Sequence, residues 1–141
     1  MKQFFLIAYA IIAFATTSCS QKISVPAAVT KDFAGKYPGA TNVKWGKESA
    51  IEYEAEFKLN GNSVSANFSA DGTWVETETM VKTADLPAAV VAAIYKNYPG
   101  AVITNAEKLE EPGDKLLYEA TIKVKGKKKT LEMKEDGSLA K

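Results

Sequence analysis

The strongest constraint on the fold of this chain is an internal duplication. Residues 25–40 read VPAAVTKDFAGKYPGA, and residues 86–101, which lie 61 positions later, read LPAAVVAAIYKNYPGA. Farther along, the Tyr-Glu-Ala motif at 53–55 recurs at 118–120, now 65 positions later, so the second copy carries a four-residue insertion near 109–115. A repeat of this length is typical of a supersecondary unit that stacks on its copy. We therefore predict two similar units, repeat 1 at residues 25–83 and repeat 2 at residues 84–141.

Each repeat has the pattern of a helix followed by antiparallel strands. In repeat 1, Val29, Phe33 and Tyr37 are spaced by four, which gives one apolar stripe on a helix that ends at Tyr-Pro-Gly. Apolar and polar residues then alternate along 52–59, as in a strand with one buried face, and Asn-Gly at 60–61 indicates a two-residue hairpin loop. The predicted fold is α+β: a tandem repeat of a helix followed by an antiparallel β-meander, with both helices packed on one face of the sheet.

The first 19 residues have the features of an export signal. One lysine precedes an apolar run at 4–15, which is shorter than the roughly 20 residues that span a bilayer, so residues 1–19 are interpreted as a signal peptide. Cleavage after Ala-Phe-Ala at 13–15 would suit an ordinary signal peptidase. The alternative is the sequence Thr-Thr-Ser-Cys, which resembles a bacterial lipobox and makes Cys19 the lipidated residue. Residues 20–24 then form a tether, and the protein is expected in the periplasm or at the outer membrane, held by a lipid anchor.

The residue composition excludes several kinds of active site. All 18 basic residues are lysines, the chain has no arginine or histidine, and Cys19 is its only cysteine. Without histidine the chain lacks Ser-His-Asp and Cys-His nucleophile systems, and one cysteine cannot make a cysteine-only zinc site. The net charge of +1 gives no electrostatic reason to expect nucleic acid as a partner. We therefore expect a protein that binds rather than catalyses, with no catalytic residue, metal or cofactor.

The alternation of side chains in repeat 1 predicts an acidic face on the side of the sheet opposite the helix. If Tyr53 faces the helix, the glutamates beside it in the strand face away. The Asp-Gly turn at 71–72 is expected to pair Ser69 with Trp74, which places this tryptophan at the edge of the same face. Trp74 would then anchor a partner while the carboxylates steer a basic protein toward the face; the alternative is a solvated face whose charges keep the protein soluble. The corresponding face of repeat 2 is expected to be mixed in charge and more apolar. The candidate partner-binding residues are Trp74, Glu52, Glu54, Glu56, Ser65, Asn67, Glu76 and Glu78.

A second candidate surface is a lysine-rich hairpin in repeat 2. Its turn is the Lys-Gly pair at 125–126, and lysines crowd the strands on both sides of it. Such a cluster could contact phospholipid headgroups, beside which a lipidated protein lies, or an acidic glycan. The alternative is a hairpin end whose charges prevent pairing between sheet edges. The candidate basic patch comprises Lys123, Lys125, Lys127, Lys128 and Lys129.

Taken together, these motifs resemble those of a known family. The helix sequence Pro-Ala-Ala-Val…Tyr-Pro-Gly-Ala, the strand motif Tyr-Glu-Ala and the final Asp-Gly turn are similar to those of the PepSY-like periplasmic proteins of Bacteroidetes, which are related in fold to the β-lactamase inhibitor proteins. The resemblance covers about residues 24–141 and implies an exported, non-enzymatic protein, often anchored by a lipid. It implies further that the chain inhibits or modulates another exported protein, which binds at the open face of the sheet.

The residues leave two other functions open. An exposed sheet edge at the end of repeat 2 could pair with another chain, which would make this a structural or assembly protein that acts by self-association. The third possibility is a binder of an anionic envelope glycan. An exported protein is the partner that we expect first, and a nucleic acid is not expected.

Overall fold

A computed structural model describes residues 23–140 of the 141-residue chain. The predictions of a signal peptide and of lipidation at Cys19 concern residues outside this range and stay predictions. Within the range, no helix is long and apolar enough to cross a membrane.

The described residues form two helices, one short 3₁₀ turn and one sheet of seven antiparallel strands. The strands lie side by side in chain order, and pairing of β4 with β5 joins the two halves into one sheet. The fold is therefore α+β, as the sequence predicts, and a helix followed by antiparallel strands occurs in each half. The elements are α1 Ala27–Lys36, β1 Thr41–Lys47, β2 Glu52–Leu59, β3 Asn62–Ser69, β4 Trp74–Met80, the 3₁₀ turn Thr83–Asp85, α2 Ala88–Asn97, β5 Val102–Glu111, β6 Lys115–Val124 and β7 Lys127–Met133.

Each helix begins directly after a proline and ends at a tyrosine. Pro26 and Pro87 occupy the N-cap positions, where a missing N–H removes no helical hydrogen bond. At the other end, the N–H groups of Tyr37 and Tyr98 each donate to the carbonyl oxygen four residues earlier, at 2.9 and 2.8 Å. The proline that follows each tyrosine cannot continue the helix, so both helices have ten residues.

Two-residue loops set the register of a hairpin in each half. Both residues of the loop at 60–61 have positive φ, 51° and 84°, as a type I′ turn requires. Phe57 therefore lies opposite Val64, and apolar residues face one another along one side of β2 and β3. The loop at 125–126 has the same backbone geometry between β6 and β7. Between β5 and β6, the inserted residues lengthen both strands to ten residues around a turn at 112–114.

The two helices pack against the apolar side of the sheet. Phe33 of α1 meets Phe57 of β2 with ring centroids 5.0 Å apart and meets Trp45 of β1 at 5.1 Å. In the second half, Ile94 of α2 and Ile122 of β6 are fully buried in one cluster. The strand registers place both clusters on the same side of the sheet, so the other side, which we call the open face, is covered by neither helix. The central residues of the open face are Glu54, Glu56, Ser65, Asn67, Glu76, Glu78, Glu107, Leu109, Leu117, Glu119 and Glu132. Lysines of the outer strands lie on the same face, at Lys44, Lys58, Lys115, Lys123 and Lys128.

An Asp-Gly turn lies against the first turns of each helix. Gly72 has a φ of 94°, and a Cβ at this position would come within 3.0 Å of the carbonyl oxygen of Ala28 in α1. Gly137 has a φ of 82°, and a Cβ there would lie 2.5 Å from the carbonyl oxygen of Ala89 in α2. Both the positive φ and the close approach require glycine. The same contact therefore ties the sheet to the helix in both halves.

Candidate functional site

Trp74 does not lie on the open face, and this part of the sequence prediction is wrong. The N–H of Ser69 donates to the carbonyl oxygen of Thr73 at 2.9 Å, and beyond this turn Trp74 lies opposite Phe68 instead of Ser69. A β-bulge at Val75 adds one residue to β4, which returns the following residues to the expected register but leaves Trp74 on the helix side. A bulge of this kind has no marker in the alternation of residues, so the pattern alone could not reveal it.

The contacts of Trp74 indicate a structural role. Its indole Nε1–H donates to Thr77 Oγ1 at 2.9 Å, and Thr77 also shares a hydrogen bond with the hydroxyl of Tyr37. Burial raises the pKa of the Tyr37 hydroxyl, and the hydrogen bond with Thr77 partly opposes that effect. Lys36 Nζ lies 3.5 Å from the centroid of the Trp74 ring. This tryptophan therefore connects α1 to β4 at the margin of the core and offers no anchor to a partner on the open face.

The other residues that the sequence predicts for the face lie in rows across β2, β3 and β4. Asn67 Nδ2 donates to Glu76 Oε1 at 2.8 Å, and Ser65 Oγ donates to Glu78 Oε2 at 3.4 Å. These bonds hold two carboxylates of β4 beside the polar residues of β3. The rows are Glu54-Asn67-Glu76 and Glu56-Ser65-Glu78, and Glu52 lies opposite Ser69 beyond them.

The open face contains a groove of about 800 Å³ that runs from β1 to β5. Glutamates of three different strands line it, among them Glu56, Glu78 and Glu107. Lys44 and Lys58 also line the groove, on β1 and β2. A space of this size admits several side chains of another molecule, and most of the charge that they would meet is negative.

The acidic character continues into the second half of the sheet. Met80 of β4 lies opposite Glu107 of β5, which lies opposite Glu119 of β6, and Glu119 in turn lies opposite Glu132 of β7. Like charges in directly opposed positions destabilise a sheet. The sequence predicts a mixed and more apolar face for repeat 2, and this face does carry leucines and the lysines Lys123 and Lys128 beside its glutamates. The prediction misses Glu107, because no hairpin loop sets the register between β4 and β5.

Two buried leucines, Leu109 and Leu117, lie among the glutamates of the open face, and we call them its apolar floor. Leu109 of β5 lies opposite Glu78 on one side and Leu117 of β6 on the other. Only 5% of Leu109 and 1% of Leu117 is exposed, although neither belongs to the clusters beneath the helices. Apolar surface beside a carboxylate reduces its contact with water, which disfavours the charged form. The floor therefore makes ionisation of the neighbouring glutamates costly.

The pKa values of two central glutamates show this cost. Burial raises the pKa of Glu78 from 4.5 to about 7, and the negative charges of Glu76 and Glu107 add to the effect. Burial also raises the pKa of Glu119 to about 7, and here Glu107 is the foremost charged neighbour. Glu78 and Glu119 are therefore only partly ionised near neutral pH, where an ordinary surface glutamate is fully ionised.

Two glutamates nearer the sheet edges show the same trend. Burial raises the pKa of Glu54, and the charge of Glu48 raises it further. Burial also raises the pKa of Glu132 and Glu111 adds to it, whereas Lys115 acts in the opposite direction. Unfavourable negative charge therefore extends from β2 to β7.

The predicted basic patch is divided between the two sides of the sheet. Lys129 faces the helix side, where its Nζ donates to the hydroxyl of Tyr98 at 2.7 Å and lies 4.7 Å from the ring centroid. Lys123 and Lys128 lie opposite each other on the other side. Lys125 lies in the hairpin loop, and Lys127 lies opposite Val124 at the start of β7. The five lysines are exposed but do not form one continuous surface.

The carboxylates of the open face are not arranged around a metal. Between residues 23 and 140, no group of three or more acidic, cysteine or histidine side chains is placed to hold a metal ion. Carboxylates spread over a broad face suit several separate positive groups better than one metal ion, which needs its ligands to converge.

Comparison with known proteins identifies the family. The family model described as "Putative beta-lactamase-inhibitor-like, PepSY-like" matches residues 51–141, a range that includes all the strands from β2 to β7. The chain belongs to the PepSY-like family. The resemblance found in the sequence motifs is thereby confirmed. A search of curated proteins finds no significant match to the chain.

Solved structures show the fold shared by this PepSY-like chain. A BLIP-like protein from Bacteroides fragilis is 27% identical, with a TM-score of 0.73 over 86% of each chain. A DUF2874 family protein from Bacteroides ovatus is also 27% identical, with a TM-score of 0.74 over 84% of this chain and 86% of the other. A structure described as "putative periplasmic proteins" from Bacteroides eggerthii is 22% identical, with a TM-score of 0.74 over 84% and 88%. The chain therefore has a BLIP-like fold.

Proposed function

We propose that this PepSY-like protein is a non-enzymatic, exported binding module that holds a basic region of another exported protein on its open face. Binding of this kind would inhibit or modulate the partner. The family description and the BLIP-like neighbour support a role of the inhibitor type. The proposed site retains the predicted carboxylates of repeat 1, loses Trp74 and gains Glu107, Glu119 and Glu132.

The main support for the proposal is that Glu107, Glu119 and Glu132 lie directly opposite one another in one row, beside the buried side chains of Leu109 and Leu117. A sheet face that serves only for solubility usually mixes positive and negative residues throughout, whereas the lysines of this face lie on the outer strands, and its charged residues on β4 and β5 are all glutamates. Here, burial and like charge raise the pKa of Glu78 and Glu119 to about 7, so the free protein is destabilised by its own face. A basic partner would remove that cost, because its positive groups would lie between the carboxylates.

The proposed location rests on the N-terminal sequence and on one neighbour. Residues 1–19 have the pattern of an export signal, and Cys19 lies where a lipid-modified cysteine would lie. The neighbour from Bacteroides eggerthii is described as periplasmic. We therefore place the partner in the periplasm or at the outer membrane, within reach of a lipid-anchored protein.

Reversal of charge on the open face tests the proposal. The bait is the full chain, and the variant carries Glu78→Lys and Glu119→Lys. The control variant carries Asp32→Lys and Asp85→Lys, which change the net charge equally but lie at exposed positions on α1 and in the 3₁₀ turn, outside the strands of the open face. We expect an exported protein with a basic surface to be captured by the wild type and the control and lost by the open-face variant.

Equal capture by all three baits would contradict the assignment of the site. Capture of nothing except copies of the bait would instead support a protein that acts by self-association. A gain of thermal stability with an anionic glycan, at unchanged protein capture, would favour the glycan-binding function.

A further inference from the structure

Asn67 of β3 holds a polar atom that the fold leaves without a partner. The residue is only 5% exposed, and its Nδ2 donates to Glu76 Oε1 at 2.8 Å. Because an ionised carboxylate only accepts hydrogen bonds, the amide nitrogen must face Glu76 and the oxygen must face away from it. Among residues 23–140, no group donates a hydrogen bond to Asn67 Oδ1, although this oxygen is buried. A buried acceptor in this state costs free energy.

The carboxylates beside Asn67, when ionised, offer negative charge and no hydrogen-bond donor. Asn67 lies between Glu54 of β2 and Glu76 of β4, directly opposite both. Burial and neighbouring carboxylates raise the pKa of Glu54, so this position too disfavours its own charge. On the far side of Glu54 lies Gly46 of β1, which has no side chain to cover the carboxylate. Glu54 lines the groove, whereas Asn67 Oδ1 has almost no contact with solvent, so a group in the groove reaches this oxygen only when the side chain of Glu54 moves aside.

We propose that the site at Asn67 receives a basic side chain of the partner protein, inserted between Glu54 and Glu76. This inference rests on the proposed function and names the chemical group that the open face recognises first. A lysine ammonium carries three N–H donors and an arginine guanidinium five, so either one can bind the amide oxygen and both flanking carboxylates together. A neutral donor would satisfy Asn67 Oδ1 but would bring no positive charge to the two carboxylates that flank it.

Calorimetric titration of the full chain with short peptides tests the proposal. The probes are hexalysine, hexaarginine, hexaglutamate and, separately, calcium chloride, at low salt and pH 8. The test variant is Asn67→Leu, which removes the orphan oxygen. The matched control is Asn105→Leu, because Asn105 also donates to a glutamate of the open face, Glu107 Oε1 at 3.2 Å, but is only half-buried.

We expect hexalysine or hexaarginine to bind the wild type, and Asn67→Leu to weaken that binding about tenfold, as loss of a hydrogen bond to a charged group does. Asn105→Leu should change it less than about twofold. On the wild-type protein, the side-chain amide resonances of Asn67 should shift on titration more than those of Asn105. This measurement decides the question even if Asn67→Leu fails to fold.

Three results would overturn the inference. The first is equal binding by both leucine variants together with unshifted Asn67 resonances, and the second is that neither basic peptide binds. The third is saturable calcium binding that Asn67→Leu removes. The charge-reversal capture experiment remains independent of all three. Loss of partner capture in Glu78→Lys with Glu119→Lys, combined with unaltered peptide binding in Asn67→Leu, would keep the open face as the binding surface and reject insertion at Asn67.

Discussion

The pH dependence of stability follows from the unusual state of Glu78 and Glu119. Both carboxyls have a pKa of about 7 in the folded chain, against 4.5 for an ordinary glutamate, with burial as the first cause. The folded chain therefore binds these two protons more tightly than the unfolded chain does. Their contribution favours folding below pH 4.5 and is lost as the pH rises through about 7. We expect the double variant Glu78→Gln with Glu119→Gln to lose this dependence, because a neutral amide does not ionise.

The expected size of the effect is modest. A shift from 4.5 to about 7 corresponds to roughly 3 kcal/mol for a fully shielded group. Both side chains are only half-buried, so solvent screening reduces the contribution to about 1 kcal/mol each. At pH 8 the double variant should therefore be about 2 kcal/mol more stable than the wild type, and at pH 4.5 the difference should nearly vanish.

Urea unfolding at several pH values, followed by tryptophan fluorescence, measures this difference. Asp71 and Asp136 have lowered pKa values, because the residues two positions later donate hydrogen bonds to them, and they act in the opposite direction. They are unchanged in the variant, so the difference between variant and wild type isolates the two glutamates. A control with Asp85→Asn and Glu135→Gln should follow the wild type. Parallel pH curves for the wild type and the Glu78→Gln, Glu119→Gln variant would refute the reasoning.

Two further substitutions test the packing of the helices. Gly137→Ala should lower the free energy of unfolding by about 1–3 kcal/mol in urea titrations, because the residue has a positive φ and the added methyl group meets the first turns of α2. Gly126→Ala, also at positive φ but in open space, should lower it less. Equal losses in the two variants would contradict the contact between Gly137 and α2. Trp74→Ala should lower the melting temperature, at a cost of about 2 kcal/mol because the side chain is only partly buried, yet leave capture of the partner unchanged while the chain stays folded. Lost capture by the folded Trp74→Ala variant would return this residue to the binding face.

Local features of the sequence predict most of the fold. The Asn-Gly loop at 60–61 has only one favourable backbone geometry, so it fixes the pairing of Phe57 with Val64 without any knowledge of the rest of the chain. Tyr-Pro-Gly at 37–39 ends a helix because of the chemistry of proline itself. The rows that contain Glu54 and Glu56 follow from these local rules and from the period of a strand.

The features that the sequence did not reveal depend on longer-range contacts. The bulge that turns Trp74 to the helix side accompanies its packing against Lys36 of α1, which is distant in sequence from the turn that was used to predict its pairing. The place of Glu107 depends on the register between β4 and β5, which are separated by α2. The burial of Asn67 depends on the shape of the whole open face. The alternation of residues along a single strand carries no information about these three features.

Site-specific photo-crosslinking in the cell envelope tests binding at the open face most directly. One variant carries a photoreactive amino acid at Ser65, which lines the groove, and the other carries it at Lys31, which is exposed on α1. Crosslinks from Ser65 to one exported protein, at its lysine- or arginine-rich region, with none from Lys31, are the predicted result. The same crosslinked protein from Lys31 and none from Ser65 would show that the partner binds the helix side and would contradict a binding site on the open face.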